Sequence, residues 1–207
     1  MSAIDIKKKV LILAFSGFET LEFSAFVDVF GWARAEGGLD IEFETAGFSK
    51  EVKSTYGVTI RVDRLLEDVD PDEYNALAIP GGFEEYGFYQ DAYRNEAAEL
   101  IRAFFEAGKP IASVCVGALA LGNSGVLKGR KATTYALSGG HRQKQLADFG
   151  ACVFPDEQIV IDGELITSCG PSTAVMVAFQ LLAKLTDLES TKKVMILMGF
   201  DPDTLEG

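Results

Sequence analysis

Short apolar runs, each followed by a segment with helical periodicity, constrain the fold of this chain more than any other feature. Residues 10–15 form an unbroken apolar stretch of strand length. Such a stretch is typical of a strand in a parallel sheet that is covered on both faces. Apolar side chains then recur at helical spacing from Leu21 to Ala33, before a pair of glycines ends the pattern. We therefore predict a strand and then a helix that carries Glu22 in its first turns.

The same alternation continues along the chain. Further strands are predicted at residues 41–46, 58–62, 75–80, 110–114 and 158–167, and further helices at residues 96–107, 116–123, 172–185 and 192–198. The 58–62 strand is expected in a small side ribbon, and an Asp-Gly pair inside 158–167 predicts a hairpin. Strands that alternate with helices indicate an α/β sandwich with a mainly parallel sheet. At 207 residues, the chain is predicted to be a single domain, residues 1–207.

Charge and cysteine content exclude several function classes. The formal net charge of -12 opposes binding to nucleic acid, whose affinity for proteins comes from lysine and arginine. The apolar run after Lys7, Lys8 and Lys9 is too short for a signal peptide or a membrane span, so we expect a cytoplasmic protein with no membrane partner. Three cysteines without zinc-like spacing fit a reducing compartment and predict neither a metal nor another cofactor.

Cys115 is the strongest candidate for chemistry. It lies directly between a predicted strand and a predicted helix, a junction that forces a tight turn and projects the sulfur outward. The N-terminus of the helix favours negative charge and is expected to lower the pKa of the thiol. The alternative is that Cys115 packs as a small buried apolar residue. Cys152 and Cys169 lack this context, and both are assigned to packing.

Other residues near strand ends are candidates for supporting roles. Glu22 has apolar neighbours, so burial is expected to raise the pKa of its carboxyl and allow proton transfer; the alternative is an acid that only stabilises the start of the helix, as Glu19 also would. Gly81 and Gly82 either form a simple turn or let a backbone N–H approach an oxyanion, together with the N–H of Val116.

His141 is the sole histidine of the chain, and polar residues follow it. It is expected at an exposed helix start and not as a base for cysteine chemistry. A class I glutamine amidotransferase activity is excluded, because it needs a His-x-Glu sequence where this chain has His141-Arg-Gln143. A dinucleotide enzyme is also excluded, because the turn at residues 16–19 lacks spaced glycines.

Several motifs resemble those of the ThiJ/PfpI superfamily. They are Phe-Ser-Gly-Phe-Glu-Thr-Leu-Glu at 15–22, Ala-Ile-Pro-Gly-Gly at 78–82, Ser-Val-Cys-Val-Gly-Ala at 113–118, Gly-Val-Leu-Lys-Gly-Arg-Lys-Ala-Thr-Thr at 125–134 and Leu-Ile-Thr-Ser-Cys-Gly-Pro-Ser-Thr at 165–173. The resemblance extends nearly from end to end. It implies a flavodoxin-like three-layer sandwich, similar to that of class I glutamine amidotransferases, and commonly a homodimer. It also implies Cys115 as nucleophile, Glu22 as its acid partner, and Gly82 and Val116 as backbone donors.

Two departures from the superfamily patterns narrow the function. Tyr135 follows the Thr-Thr pair where the deglycase and glyoxalase branch has a histidine, and Val116 follows the cysteine where the peptidase branch has one. Expelling an amine needs a general acid, so the second departure counts against proteolysis. The resemblance then implies a small-molecule substrate, most simply a 2-oxoaldehyde, with Glu22 as proton shuttle and Tyr135 or Asp28 as a secondary donor. The alternatives are hydration of a small substrate, as in isocyanide hydratases, and a non-enzymatic redox sensor that oxidises Cys115.

Overall fold

A computed structural model describes residues 7–205, so the predicted domain, residues 1–207, extends beyond the described part at both ends. The strands are β1 (Lys8–Leu13), β2 (Ile41–Gly47), β3 (Glu51–Lys53), β4 (Thr59–Arg61), β5 (Arg64–Leu65), β6 (Ala76–Ile79), β7 (Ile111–Ser113), β8 (Lys131–Ala132), β9 (Cys152–Val153), β10 (Ile159–Asp162) and β11 (Leu165–Ser168). The α-helices are α1 (Thr20–Ala35), α2 (Phe88–Ala92), α3 (Asn95–Glu106), α4 (Gly117–Ser124), α5 (His141–Asp148), α6 (Ala174–Leu185) and α7 (Leu188–Leu197).

Seven strands form the central sheet in the order β10-β11-β7-β6-β1-β2-β5. Every pairing in it is parallel except that of the edge strand β10 with β11. The strands β1, β6 and β7 lie side by side, with Leu11 opposite Leu77 and Leu77 opposite Ile111. The carboxyl ends of these three strands therefore meet at one edge of the sheet.

Burial explains why the central strands are continuous apolar runs. The side chains of β6 and of the second half of β1 are fully buried, as expected where both faces of a sheet are covered. Helices α1, α6 and α7 pack together in one group, and α2, α3, α4 and α5 in another. The chain is thus an α/β sandwich with a mainly parallel sheet and flanking helices, as predicted.

The smaller predicted features are also confirmed. Strand β4 pairs antiparallel with β3 in a separate two-stranded ribbon. Strands β10 and β11 form the predicted hairpin, in which Asp162 lies opposite Leu165 and Gly163 begins the loop at a φ of +61°. No helix within residues 7–205 has both the length and the apolar character needed to cross a bilayer.

Candidate active site

Cys115 lies immediately past the end of β7, in the strained turn that its strand-to-helix position predicts. Its φ is +54°, a left-handed conformation that costs a non-glycine residue about 1–3 kcal/mol. Two hydrogen bonds hold this backbone in place. The N–H of Cys115 donates to the carbonyl of Ser168 at 3.0 Å, and the hydroxyl of Thr134 donates to the carbonyl of Cys115 at 2.8 Å. The turn is therefore fixed from two neighbouring segments of the fold.

Helix α4 begins directly after Cys115 and approaches the sheet closely. A Cβ on Gly117 would lie 2.5 Å from the carbonyl oxygen of Ile79 at the end of β6, so only glycine fits at this first helical position. The residue before it, Val116, directs its backbone N–H at the sulfur of Cys115. The absence of a side chain at Gly117 thus allows the turn at Cys115 and the start of α4 to pack against the neighbouring strand β6.

Glu22 reaches the same place from the first turn of α1. The side chain of Glu19 caps this helix by accepting the N–H of Glu22 at 3.0 Å. Glu22 itself is completely buried, and its Oε2 accepts the N–H of Gly81 at 2.6 Å. The other carboxyl oxygen, Oε1, is buried without a nitrogen or oxygen partner in the described part of the chain. The thiol of Cys115 is a further hydrogen-bonding neighbour of the carboxyl.

Burial raises the pKa of Glu22 to about 8. The N–H of Gly81 opposes this shift because it stabilises the carboxylate, whereas the negative charge of Glu19 adds to it, and the hydrogen bond with Cys115 opposes it. Glu22 therefore carries a proton at neutral pH. The predicted burial of this carboxyl is confirmed.

The expected lowering of the Cys115 pKa is wrong for this arrangement. Burial raises the pKa of the thiol well above its ordinary value, and negative charge on Glu22 raises it further. The N–H of Val116 acts in the opposite direction but does not outweigh the loss of water around a residue that is 8% exposed. Both groups of the pair accordingly hold their protons at neutral pH.

The two glycines after β6 have different roles. The N–H of Gly81 is already bound to Glu22, so Gly81 does not fit the predicted role of oxyanion donor. Gly82 lies in a bridge with Phe18, formed by the N–H groups of Glu19 and Phe83. The N–H of Gly82 itself has no partner within residues 7–205. Of the three predicted donors, only Gly82 and Val116 have a backbone N–H without a nitrogen or oxygen acceptor in the described part of the chain.

Neither of the two predicted secondary donors has a hydrogen bond to Cys115 or Glu22 within residues 7–205. Asp28 is exposed on α1, six residues beyond Glu22, which places it about 9 Å along the helix and about 240° around it. Tyr135 is partly buried with its Cδ2 3.7 Å from where a Cβ of Gly170 would be, and among the described residues it has no hydrogen bond to the pair. Helix geometry removes Asp28 from the site.

The remaining candidates lie outside the centre of the site. His141 begins α5 and is exposed, as predicted. The side chain of Cys152 in β9 is exposed and faces away from the core. Its assignment to packing is therefore wrong. Cys169 is partly buried. Among residues 7–205, no three His, Cys, Asp or Glu side chains are grouped as metal ligands.

Sequence reasoning missed several residues around Cys115. Thr134 belongs to the Thr-Thr pair noted in the sequence, but nothing in the pattern shows that its hydroxyl holds the carbonyl of Cys115. Tyr89 in α2 carried no signal at all. Burial raises the pKa of its phenol, and charge on Arg142, Tyr93 and Cys115 also affects this pKa, so Tyr89 lies near all three residues.

Comparison with known proteins gives a consistent family match. A family model described as "DJ-1/PfpI family" matches residues 8–184. Deglycase TK1284 of Thermococcus kodakarensis is 36% identical over 79% of this chain and 90% of its own length. Deglycase PfpI of Pyrococcus furiosus is 32% identical over the same shares. The crystal structure of Drosophila melanogaster DJ-1beta superposes with a TM-score of 0.83 at 27% identity, covering 95% of this chain and all of the other.

Proposed function

Because the chain belongs to the DJ-1/PfpI family, we propose that it is a cysteine-dependent enzyme that acts on a small electrophile of the 2-oxoaldehyde class. Cys115 is the proposed nucleophile and Glu22 the proposed proton shuttle. The observation that supports this best is the pair itself, a cysteine on a strained backbone turn next to a fully buried carboxyl that is protonated at neutral pH. The names of two relatives, both deglycases, agree with chemistry on a sugar-derived or related carbonyl.

The reaction proposed needs no group beyond those in the site. The sulfur adds to the aldehyde carbon, its proton passes to water, and the carbonyl oxygen takes up a proton from Glu22, which gives a hemithioacetal. Glu22, now a carboxylate, moves the proton on the former aldehyde carbon to the neighbouring carbon, while the hydroxyl proton of the hemithioacetal moves to the neighbouring oxygen. Glu22 then regains from water the proton that the thiol released. The resulting thioester is hydrolysed by water, which releases a 2-hydroxy acid and restores the thiol. In sum, one water is added and no external oxidant or reductant is consumed.

The raised thiol pKa is compatible with this sequence of steps. A thiol that holds its proton in the free chain is protected from unselective alkylation and oxidation. The N–H groups of Gly82 and Val116 are the proposed donors to the oxygen that becomes negative when sulfur adds. Each such donor is typically worth about 10²–10³ in rate. Proteolysis is less well supported, because Val116 occupies the position after the cysteine and His141, the sole histidine, is exposed in α5.

The test is turnover of methylglyoxal to lactate by four proteins: the wild type, Cys115→Ser, Glu22→Gln and the matched control Cys152→Ser. We expect no turnover in Cys115→Ser and a fall of about 10²-fold or more in Glu22→Gln, because general acid–base catalysis contributes that much. The exposed Cys152 lies outside the site, so its replacement should change nothing. Full activity in Cys115→Ser would overturn the proposal.

The same panel separates the alternative chemistries. Turnover of a small isocyanide, assayed alongside turnover of methylglyoxal, tests hydration. In that reaction water would add to the isocyanide carbon and yield an N-substituted formamide. Consumption of the isocyanide alone would replace the 2-oxoaldehyde proposal with hydration.

The proposal also includes a cytoplasmic homodimer. The superfamily resemblance supports the homodimer, and the three free cysteines support the cytoplasmic location. Sedimentation velocity would detect a monomer if that part is wrong.

A redox sensor is a second candidate, favoured by one observation. The protonated Glu22 can donate a hydrogen bond to an oxidised sulfur at Cys115, which would stabilise a sulfinate. Two equivalents of hydrogen peroxide would successively oxidise the thiol to sulfenic and then sulfinic acid, each releasing water. This candidate requires stabilisation of the sulfinate to outweigh the raised pKa of the thiol, so mass spectrometry should then find more sulfinate at Cys115 than at the exposed Cys152. Equal oxidation of both cysteines would exclude this function.

A further inference from the structure

Three side chains from the region of α2 and α5, Tyr89, Tyr93 and Arg142, have no role in the chemistry above, and the two tyrosines carry buried hydroxyls without a partner within residues 7–205. The hydroxyls of Tyr89 and Tyr93, in and just after α2, are both buried and neither has a hydrogen-bond partner within residues 7–205. Their rings lie together, with centroids 5.0 Å apart. Buried hydroxyls normally find a partner, and both of these are available to donate a hydrogen bond to a polar group of a ligand.

A guanidinium covers the same aromatic pair. The Cζ of Arg142, in the first turn of α5, lies 4.8 Å from the centre of the Tyr89 ring. One guanidinium nitrogen donates to Gln145 at 2.8 Å and another donates to the carboxylate of Glu84 at 2.7 Å. The Arg142 side chain is only 18% exposed, whereas that of Glu84 is 63% exposed. Arg142 is thus held in place, and the carboxylate that it binds is at the surface and free to move away.

The position of this cluster links it to Cys115. Helix α2 follows the turn of Gly82, where a Cβ would collide with the ring of Phe88, the neighbour of Tyr89. Charge on Cys115 contributes to the raised pKa of the Tyr89 phenol, so the two side chains lie within electrostatic range of each other. One face of the Tyr89 ring therefore contacts Arg142, and the same ring lies within electrostatic range of Cys115.

We propose that Arg142, Tyr89 and Tyr93 form a subsite that binds a carboxylate of the substrate beside Cys115, and that Glu84 occupies the guanidinium until the substrate displaces it. The ion pair of Arg142 with Glu84 shows that a carboxylate fits the guanidinium from this side. The substrate class, which rests on the proposed function, is then an electrophile that carries a negative charge, such as a 2-oxoaldehyde with a terminal carboxylate. With a net charge of -12, the chain as a whole repels such a molecule, so a local cation is what would make it a substrate.

The first experiment does not depend on the proposed function. Iodoacetate and iodoacetamide alkylate the same thiol and have nearly the same size, but only iodoacetate is negatively charged. The ratio of their rate constants is measured at Cys115 by peptide mass spectrometry, with the exposed Cys152 of the same molecule as internal reference. In the wild type, the ratio at Cys115 should exceed the ratio at Cys152 by about tenfold, the effect of one charge-assisted contact.

Variants then assign that preference to the subsite. Arg142→Gln should abolish it, Tyr89→Phe should weaken it severalfold, and Glu84→Gln should raise it, because the competing carboxylate is gone. The matched control is Arg130→Gln, since Arg130 also lies over an aromatic ring, that of Phe105, and pairs with a carboxylate, that of Asp162. Arg130→Gln should leave the ratio unchanged. An equal ratio at the two cysteines of the wild type would overturn the subsite.

The opposite signs expected for Arg142→Gln and Glu84→Gln keep the inference testable even if loss of Arg142 loosens α5. A preference that is unaffected by Glu84→Gln would show that Glu84 does not compete for the subsite and would contradict the proposal. The second experiment compares turnover of 4,5-dioxopentanoate, a 2-oxoaldehyde with a carboxylate, with turnover of methylglyoxal. Absence of turnover of both by the wild type would overturn the proposed function, while the alkylation ratio still decides the subsite.

Discussion

Glu22 links the stability of this protein to its chemistry, because the same buried carboxyl that neighbours Cys115 has no water to support its charge. The carboxyl is completely buried and receives one backbone hydrogen bond, from Gly81. An ionised group in this position would be destabilised by desolvation, which is why its pKa rises to about 8. The proton that the proposed catalysis needs is therefore retained at the expense of stability in alkaline solution.

Stability should consequently fall as pH rises from about 5 to above 8. In the unfolded chain Glu22 ionises near its ordinary pKa of 4.5, whereas in the folded chain it keeps its proton until about pH 8. Below 4.5 the full stability is present, and each pH unit above it costs up to about 1.4 kcal/mol until the folded pKa is reached, on the order of 5 kcal/mol in total. Urea unfolding of the wild type and Glu22→Gln at pH 5 and pH 8.5 checks this.

Gln keeps an oxygen for the N–H of Gly81 but cannot ionise, so Glu22→Gln should lose much less stability between the two pH values. Parallel pH profiles for the two proteins would mean that Glu22 titrates normally. The rate at which iodoacetamide alkylates Cys115 reports on the neighbouring thiol. It should rise with pH in the wild type as the raised thiol pKa is approached.

Single residues differ in how far the sequence can identify them. Cys115 and Glu22 were predictable, because each lies beside a strong local pattern: a strand-to-helix junction and a helix start. The direction of the Cys115 pKa was not, because it depends on the sum of burial, the charge of Glu22 and one N–H. Arg142 and Glu84 could not be paired from sequence either, since 58 residues separate them and both lie in ordinary polar segments.

At the scale of elements, the turn after β6 is the point where three segments converge. A Cβ on Gly81 would lie 2.9 Å from the Oε2 of Glu22, 2.9 Å from the carbonyl oxygen of Val114 and 3.0 Å from the Cβ of Cys115. The turn at Gly81, helix α1 and the turn at Cys115 therefore touch one another, and there is no room for a methyl group. This close approach, and not a special backbone conformation, explains the glycine.

Gly81→Ala should therefore destabilise the fold by about 1–3 kcal/mol, the usual cost of overpacking, and should reduce methylglyoxal turnover because Glu22 is displaced from Cys115. The matched control is Gly31→Ala. Gly31 lies within α1, and apart from its chain neighbours and the helix's own backbone no described atom is within 4 Å of an added Cβ, so this change should stabilise the helix by about 0.5–1 kcal/mol. Chemical denaturation of both variants checks the two signs. A destabilised Gly31→Ala or a stabilised Gly81→Ala would contradict this packing.

Element prediction succeeded where local pattern decides structure. The alternation of apolar runs and amphipathic segments correctly predicted β1, β6, β7 and the β10–β11 hairpin, because period and burial are both visible in sequence. The short strands β8 and β9 pair with each other across about twenty residues of chain. Two-residue strands have too little pattern to show which partner they will find.

For the molecule as a whole, a cluster of charged side chains around Glu44 supports the fold and lies away from the candidate site. Glu44 in β2 accepts the hydroxyl of Tyr74 at 2.7 Å and contacts Arg64 and Lys9 at 2.9 Å each. Burial alone would raise the pKa of Glu44, but these hydrogen bonds and charges outweigh it and hold the pKa below its ordinary value. The carboxylate thus joins β1, β2, β5 and the segment before β6.

This network lies far from Cys115. Glu44 is opposite Leu11, which is opposite Leu77, which in turn is opposite Ile111 in β7. Crossing from β2 to β7 covers three strand spacings, about 14 Å, and Cys115 lies four residues beyond Ile111, about 13 Å along the strand direction. A change at Glu44 therefore has no short path to the thiol.

Glu44→Gln should accordingly reduce the free energy of unfolding at pH 7 by about 1–3 kcal/mol, since it weakens hydrogen bonds to a charged, partly buried group. Its contribution should disappear from the wild type as pH falls below 4.5, because the lowered pKa means that the carboxylate stabilises the fold only while it is ionised. The rate of Cys115 alkylation by iodoacetamide should stay within about twofold of the wild type, as expected for independent distant sites. The matched control is Glu189→Gln, which breaks an exposed pair with Lys193 in α7 and should cost less than about 0.5 kcal/mol. A large change in Cys115 reactivity with Glu44→Gln would instead show that the two ends of the sheet are coupled, and that stability and chemistry are not separated in this fold.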